Sequence, residues 1–386
     1  MEASQIPLLV AVVLTIVPIA FSLFFPLLLA GPLTWAERRQ SAMMQDRVGP
    51  NRAALVIGGK EIRAFGLLHP LADVIKLITK EDTINHSVDR FLYNLAPLVA
   101  LFPALVTFAI IPFGPDLIAN AGSLALAPFA NGSVPSGDGL FGLQAARIDI
   151  GILYVFAMSS LAVFGVTLAG YASSSKFAML GGLRASAQMI SYEVTLGISL
   201  VGLLMTFNTL EPSSMVYQQG ELLWGIIPKW GIVVQPVAFL VFLTAAIAEN
   251  KRTPFDLAEG ESEIIGYFIE YSGMKFGMFF MAEYVEVVVI AGMVTTLFLG
   301  GWQVPYLYSD GFHFPGGLAV GVPELLVVAM CIGSFVLKVL VLCWFQLAVR
   351  WSLPRFRYDQ VMDLGWKVLL PISIANLLVT GLVILL

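Results

Sequence analysis

Two cysteines, three histidines and a charged fraction of 12% are little for a chain of 386 residues, and each scarcity removes a class of protein. Soluble domains carry about 25% charged residues and use them to cover a solvated face; 21 basic and 26 acidic side chains do not cover one of this size. Cys331 and Cys343 stand in one apolar run, about 18 Å apart along a helix that rises 1.5 Å per residue, so they do not bridge each other. Two cysteines also fall short of the ligand set of an iron–sulfur cluster, and His69, His86 and His313 have no metal-ligand spacing. Neither a phosphate-binding GxxxxGKS/T nor a strand-to-helix GxGxxG occurs. The net charge of −5 lacks the basic excess of a nucleic-acid binder. No redox centre and no bound cofactor are expected in this chain, so any electron transfer it serves is carried by another subunit or a diffusible substrate.

Apolar residues, by contrast, make up 58% of the chain. Crossing a hydrocarbon core of about 30 Å takes roughly 20 apolar residues in a helix, because the bilayer interior offers free backbone groups no water. Eight runs qualify, at residues 6–33, 91–113, 149–171, 189–210, 232–249, 276–300, 323–345 and 366–386. The expected fold is an all-α integral membrane protein, a single membrane domain over 1–386 with eight transmembrane helices. Lys and Arg fix its orientation. All but Arg147, Lys229 and Lys338 fall in the alternate loops 34–90, 172–188, 250–275 and 346–365 or, for Lys367, at the edge of the last. These loops are expected on the cytoplasmic side, and both termini outside. The leader, Met1 to Pro7, holds Glu2 and no basic residue, and does not read as a cleavable signal. The opposite loops read as plain connectors. In the first basic loop, Leu68, Leu71, Ile75 and Ile78 recur at helical spacing between Phe65 and Lys80, which predicts an interfacial amphipathic helix.

The loop after the fifth run is dense in carboxylates. Asp256, Glu259, Glu263 and Glu270, separated by 3, 4 and 7, share one face if Phe255 onward is helical, with Glu261 pointing elsewhere. Like charges at such spacing need protonation, pairing or hydration to coexist. A solvated acidic face is the plainer reading of a charge run, but this one joins two membrane spans and follows Lys251-Arg252 and Pro254. Glu193 near the inner end of the fourth span, and Glu283 and Glu286 within the sixth, are acids at membrane depth; such residues face a protein interior or a wet cavity, often in proton relays. Structural hydrogen bonding is the alternative for each. Lys338 is read as the one buried cation, a relay member or a partner for one of these acids. Glu249 stands at a span end. The first basic loop holds Trp35-Ala-Glu-Arg-Arg39 and Gln45-Asp-Arg47 to Arg52, and arginine forks suit anionic or quinone-headgroup sites.

These segments resemble the membrane H-subunit (subunit 1) family of the proton-pumping NADH:quinone oxidoreductases, respiratory complex I. The matching pieces are ERR with QDRVGPN at Glu37 to Asn51, GLLHPLADVIKLITKED at Gly66 to Asp82, SKFAMLGGLRASAQMISYEVT at Ser175 to Thr195, ENKRTPFDLAEGESE at Glu249 to Glu263, FFMAEY at Phe279 to Tyr284, and LPRFRYDQ with LGWK at Leu353 to Lys367. The resemblance implies eight helices in a tilted bundle in a bacterial cell inner membrane. It also implies that the basic loops dock peripheral-arm quinone-module subunits, one carrying the terminal iron–sulfur cluster. FMN and NADH would sit on further partners, with small membrane subunits and antiporter-like subunits alongside and quinone as substrate. It assigns Arg38, Gln45, Arg47, Arg252, Phe255 and Asp256 to a quinone tunnel, and Glu193, Glu249, Glu259, Glu261, Glu263, Glu270 and Glu283 to an acidic proton path. Against the family pattern, His69 replaces a usual Gln, Ser174 an Asn and Asp363 a more usual basic residue; Glu286 is an added carboxylate, and the segment 56–63 is longer. On the residues alone, a self-contained ion transporter and a membrane subunit of a hydrogenase or formate-oxidising complex stay open.

Overall fold

The computed structural model describes residues 8–57, 60–86, 88–120, 123–129, 132–135, 140–260, 263–315 and 317–386. Among them, seven helices are long and apolar enough to cross a membrane, as the composition requires of a mostly helical membrane chain. The first, α1 (Leu8–Met44), runs through Pro18, Pro26 and Pro32 and continues past residue 33, where the sequence put a loop. Ala36 to Gln40 are good helix formers, and Glu37 finds partners on other elements that repay its burial. After α1 the chain turns at Gly66, whose φ of +89° and close approach to Pro50 leave no room for a Cβ: one built there would lie 2.1 Å from the Pro50 carbonyl oxygen. That turn delays the next helix, α2 (Leu68–Thr79), by three residues from the expected Phe65 start. Leu71, Val74, Ile75 and Ile78 on α2 are exposed.

Helices α3 (Arg90–Thr107), α4 (Gly151–Ala172) and α5 (Lys176–Phe207) pack in sequence. Small residues set their separation. A Cβ at Gly165 of α4 would meet the Ala100 backbone nitrogen of α3 at 2.5 Å, and one at Gly170 would meet the Ala178 carbonyl of α5 at 2.6 Å. Because Gly181 and Gly182 serve the same close packing rather than a loop, α5 begins thirteen residues ahead of the expected span, and the expected loop 172–188 shrinks to the turn around Ser174.

After α6 (Pro212–Gln219), the expected fifth span, 232–249, is broken into α7 (Gly231–Val234) and α8 (Pro236–Glu249). Pro236 has no N–H and forces Gln235 out of helical conformation (φ −132°, ψ 62°). The Gln235 amide then bonds Thr206 of α5 and, on the last helix, Thr380 and Asn376. Next comes α9 (Gly273–Phe298), the centre of the molecule: 72% of its apolar window is buried, against 17% for α1 and for the last span. Helix α10 (Glu324–Ser352) runs seven residues beyond its expected end; α11 (Tyr358–Asp363) leads through a π-turn at Leu364–Leu369 into α12 (Leu370–Leu385). The expected loop 346–365 is thus mostly helical.

The segment 250–272 forms turns, and the helix that would align Asp256, Glu259, Glu263 and Glu270 is not there among its described residues. Pro254 lacks the donor a helix needs, and Lys251, Gly260, Ile265 and Gly266 all have positive φ. Its tertiary bonds place this segment at the same end of the bundle as α2 and the beginnings of α3, α5, α9 and α11. The other end carries short antiparallel strands and is more than plain connectors. Arg147 bridges Asp116 at 3.2 Å and Glu211 at 2.5 Å, and Trp302, with no exposed surface, packs edge-on against Phe129 and Tyr217, each at 5.2 Å. Burial pushes the Asp116 carboxyl up, with Arg147 opposing.

Candidate functional site

The 250–272 turns carry charge into the helix bundle. Arg252, 7% exposed, lies between α1 and α9: its Nη1 is 3.2 Å from Glu37 Oε2, its Nη2 is 3.8 Å from Glu283 Oε2, and its guanidinium sits 4.0 Å over the Tyr284 ring. Tyr284 donates its hydroxyl to Glu37 at 2.7 Å, and Arg350 from α10 holds the other Glu37 oxygen at 2.6 Å. Arginine suits the place because its charge is permanent and its planar fork serves two acids while its face stacks on a ring. Nearby acids hold the Arg252 proton even more firmly than usual, despite burial. Tyr267 donates to Glu283 at 3.5 Å. Glu259 lies beside the same carboxylate; burial, then Glu283, push the Glu259 pKa well up.

Asp256 is buried and reaches outward to Arg355 at 2.6 Å. Burial raises its carboxyl more than Arg355 lowers it. Phe255, 4% exposed, lies between Tyr192 and Phe356 with ring centroids 5.7 and 5.5 Å away. The Gln188 amide fixes the backbone there by donating to the carbonyls of Ala248 and Phe255 at 2.6 and 2.8 Å. Several buried polar atoms are left without a protein partner among the described residues, including Arg252 Nε, Asp256 Oδ1 and Asn250 Oδ1. Leaving such groups dry costs about 1–3 kcal/mol each, so the junction is built for water or a polar ligand.

A second acidic group lies deeper. Lys251, 3% exposed, contacts Glu286 Oε2 at 3.4 Å. Glu286, Glu249, Asn250, Ser159 and Thr107 line a cavity of about 80 Å³ with otherwise apolar walls. Ser160 donates to Glu193, which is within electrostatic reach of Glu249.

The residues singled out in the sequence therefore separate into groups. Arg252, Phe255 and Asp256 share the junction with Glu259 and Glu283, while Glu249 lines the deeper cavity and Glu193 lies within its electrostatic reach. Arg38, Gln45 and Arg47 lie apart and exposed: Arg38 pairs with Asp73 at 2.6 Å and Arg47 bonds Gln45 at 2.6 Å. Arg38 and Arg47, with Arg52 and His69, line an open pocket of about 290 Å³. His69 is positioned by Gly66 O at 3.0 Å and the Ala53 N–H at 3.4 Å. Glu263 is exposed and paired with Arg184 at 2.8 Å; Glu270 is exposed, and its backbone carbonyl accepts from Tyr93 at 2.7 Å. Glu261 lies outside the described residues.

Lys338 is not the one buried cation: it is half-buried, whereas Lys251 and Arg252 are buried. Its ammonium is satisfied by the carbonyls of Leu299, Gly301 and Gln303 at 2.7–2.9 Å, which close the end of α9, and it lies over Trp230. The functional reading of the sequence missed Glu37, Tyr284 and Arg350. Glu37 meets Arg252 across 215 positions, and no local spacing announces such a pair.

Fold and site together define a multi-pass helical membrane protein in which one helix junction buries alternating acids and cations beside a cavity lined by Glu249 and Glu286. Residues 16–381 match the family model described as NADH dehydrogenase. The chain is 42% identical over 385 residues to H subunit 1 of the NADH-quinone oxidoreductase of Geobacter metallireducens, covering 98% of this chain and 99% of that one. It is 43% identical over 368 residues to H subunit 2 of the Geobacter sulfurreducens NADH-quinone oxidoreductase, with 95% of each covered, and 41% identical over 374 residues to the H subunit of the Syntrophotalea carbinolica one, with 97% of each covered. The chain belongs to the family of NADH-quinone oxidoreductase H subunits.

Proposed function

We propose that this chain is the quinone-chamber and proton-coupling membrane subunit of an NADH:quinone oxidoreductase in a bacterial cell inner membrane. The observation that carries the reading is the juxtaposition of Phe255 and Asp256 with the buried Glu37–Arg252–Glu283 chain. A carboxylate buried beside an arginine responds strongly to charge arriving nearby, because a low dielectric magnifies each interaction. Electrons arrive from the iron–sulfur cluster of a peripheral partner, itself supplied from NADH through FMN on further subunits. Quinone bound against the turns 250–272 gains negative charge as it is reduced and draws protons.

In this reading Arg38, Gln45, Arg47, Arg252, Phe255 and Asp256 wall the tunnel. Arg252 and Asp256 orient the headgroup end, and Asp256 holds or releases a proton there. Glu259 and Glu283 pass the protonation change inward, and Glu249 and Glu193 continue it through the cavity toward antiporter-like subunits. Glu263 and Glu270, both exposed, and Glu261 would form the outer part of the path where the peripheral arm docks. The basic end, with the segments 34–90, 172–188, 250–275 and 346–365, is cytoplasmic and both termini are outside. Helices α7 and α8 together supply the eighth crossing, and α2 lies in the interface with Leu71, Ile75 and Ile78 toward lipid. The test is the assembled enzyme carrying Glu283→Gln or Glu193→Gln. Donor-driven quinone reduction coupled to pumping is expected to fall at least about tenfold; wild-type rates and pumping in both variants would refute the assignment.

A further inference from the structure

Lys251 and Arg252 are consecutive, yet the positive φ of Lys251 (57°) sends them to different acid groups. Arg252 is clamped between Glu37 and Glu283 and stacked on Tyr284. Lys251 instead makes one loose contact, 3.4 Å, with Glu286. Glu283 and Glu286 are one helical turn apart on α9, so Glu286 is the next carboxylate inward from the Arg252 cluster. Glu286 faces the same cavity as Glu249 and Asn250, and Lys251 lies within electrostatic reach of Glu249 as well. The ammonium that contacts Glu286 is thus also within electrostatic reach of Glu249, and the cavity lined by the two carboxylates has room for several water molecules.

We propose that Lys251 is a swinging cation that exchanges between Glu286 and Glu249 and so connects the Arg252–Glu283 cluster to Glu193. The proposal deepens the proton-path reading and rests on it. In the transfer step, the O–H bond of one carboxylic acid breaks and an O–H bond forms on the other carboxylate, through cavity water. Lys251 keeps its three N–H bonds and moves to whichever carboxylate is left ionised, so the net charge of the three groups is unchanged. The structure holds the ammonium on Glu286.

Two measurements on the assembled enzyme test this. In carboxyl-stretch infrared difference spectra, Lys251→Gln is expected to add a protonated-acid band. With Lys251 in place, Glu286→Gln is expected to lose the protonated-acid band of the wild type, because the ammonium moves to Glu249 and holds it ionised, and the band should return in Lys251→Gln/Glu286→Gln. Persistence of the band in Glu286→Gln would mean that the ammonium serves one acid only, and would overturn the proposal. In sealed membranes, Lys251→Gln/Glu286→Gln replaces the charged pair by two neutral amides and is expected to keep the wild-type thermal midpoint. Uncoupled quinone reduction should stay within about twofold of wild type while protons pumped per electron fall at least about twofold. A wild-type pumping ratio in that double variant would reduce the pair to packing and overturn the proposal. If the wild-type enzyme itself does not pump, the proton-path reading fails, whereas the infrared arm still judges whether the two acids share the ammonium.

Discussion

At the residue scale, Arg252 shows why a charge can be kept inside a membrane bundle. Its partners Glu37 and Glu283 are as buried as it is, so removing the cation leaves Glu283 without its cation and Glu37 with Arg350 alone. Arg252→Met is expected to cost about 3–5 kcal/mol, read as a lowered thermal midpoint of the purified protein in detergent. The exposed pair Arg357–Asp359 provides the control: Arg357→Ala should leave the midpoint unchanged, because water already screens that contact. Glu259 supplies the pH dependence. Its pKa is raised in the folded state by burial and by Glu283. Its contribution to stability is therefore full below the ordinary carboxylate pKa and is lost as pH rises through the raised value. A Glu259→Gln variant should lose less stability than the wild type as pH climbs from acid into the alkaline range, measured as midpoint against pH. An identical slope in the two proteins would contradict the shift.

At the scale of elements, the helices are held at distances that only small residues permit. Gly165 of α4 touches the α3 backbone at Ala100, and neither backbone can move aside alone. Gly165→Leu should destabilise by about 1–3 kcal/mol or more through overpacking, visible as a lowered midpoint together with faster proteolysis of α3–α4. The broken helix at Gln235-Pro236 shows the converse, since a backbone interruption inside an apolar run is tolerated where neighbouring Thr206, Thr380 and Asn376 engage the adjacent side chain. The turns at 250–272 follow the same logic. A regular helix would have lined four acids along one face, whereas irregular backbone distributes Asp256, Glu259 and Glu263 among different partners.

At the scale of the whole molecule, the polar junction and the strand-bearing end lie at opposite ends of an apolar bundle. The proposed topology places them on opposite faces of the membrane. A membrane-impermeant maleimide is expected to label Trp224→Cys from outside in intact cells and Arg357→Cys only after the cytoplasmic side is opened. Both sites are exposed, and the native Cys331 and Cys343 are buried and should stay silent. Labelling of both from one side would refute the orientation.

Composition and hydropathy by themselves determined that this is a multi-span helical membrane protein, because an apolar run long enough to cross a bilayer has few alternatives to a helix. The order of the spans, α2 and the acids at Glu283 and Glu259 were legible for the same reason: periodicity and charge are local properties of the chain. Where α1 and α10 end and where α5 begins was not legible, since a polar stretch remains helical when distant elements satisfy it, as Arg252 and Arg350 do for Glu37. Which acid meets which cation was decided only by tertiary structure. Lys251 and Arg252 carry the same charge and are neighbours in sequence, and only the backbone turn between them and the packing of α9 send one to Glu286 and the other to Glu37 and Glu283.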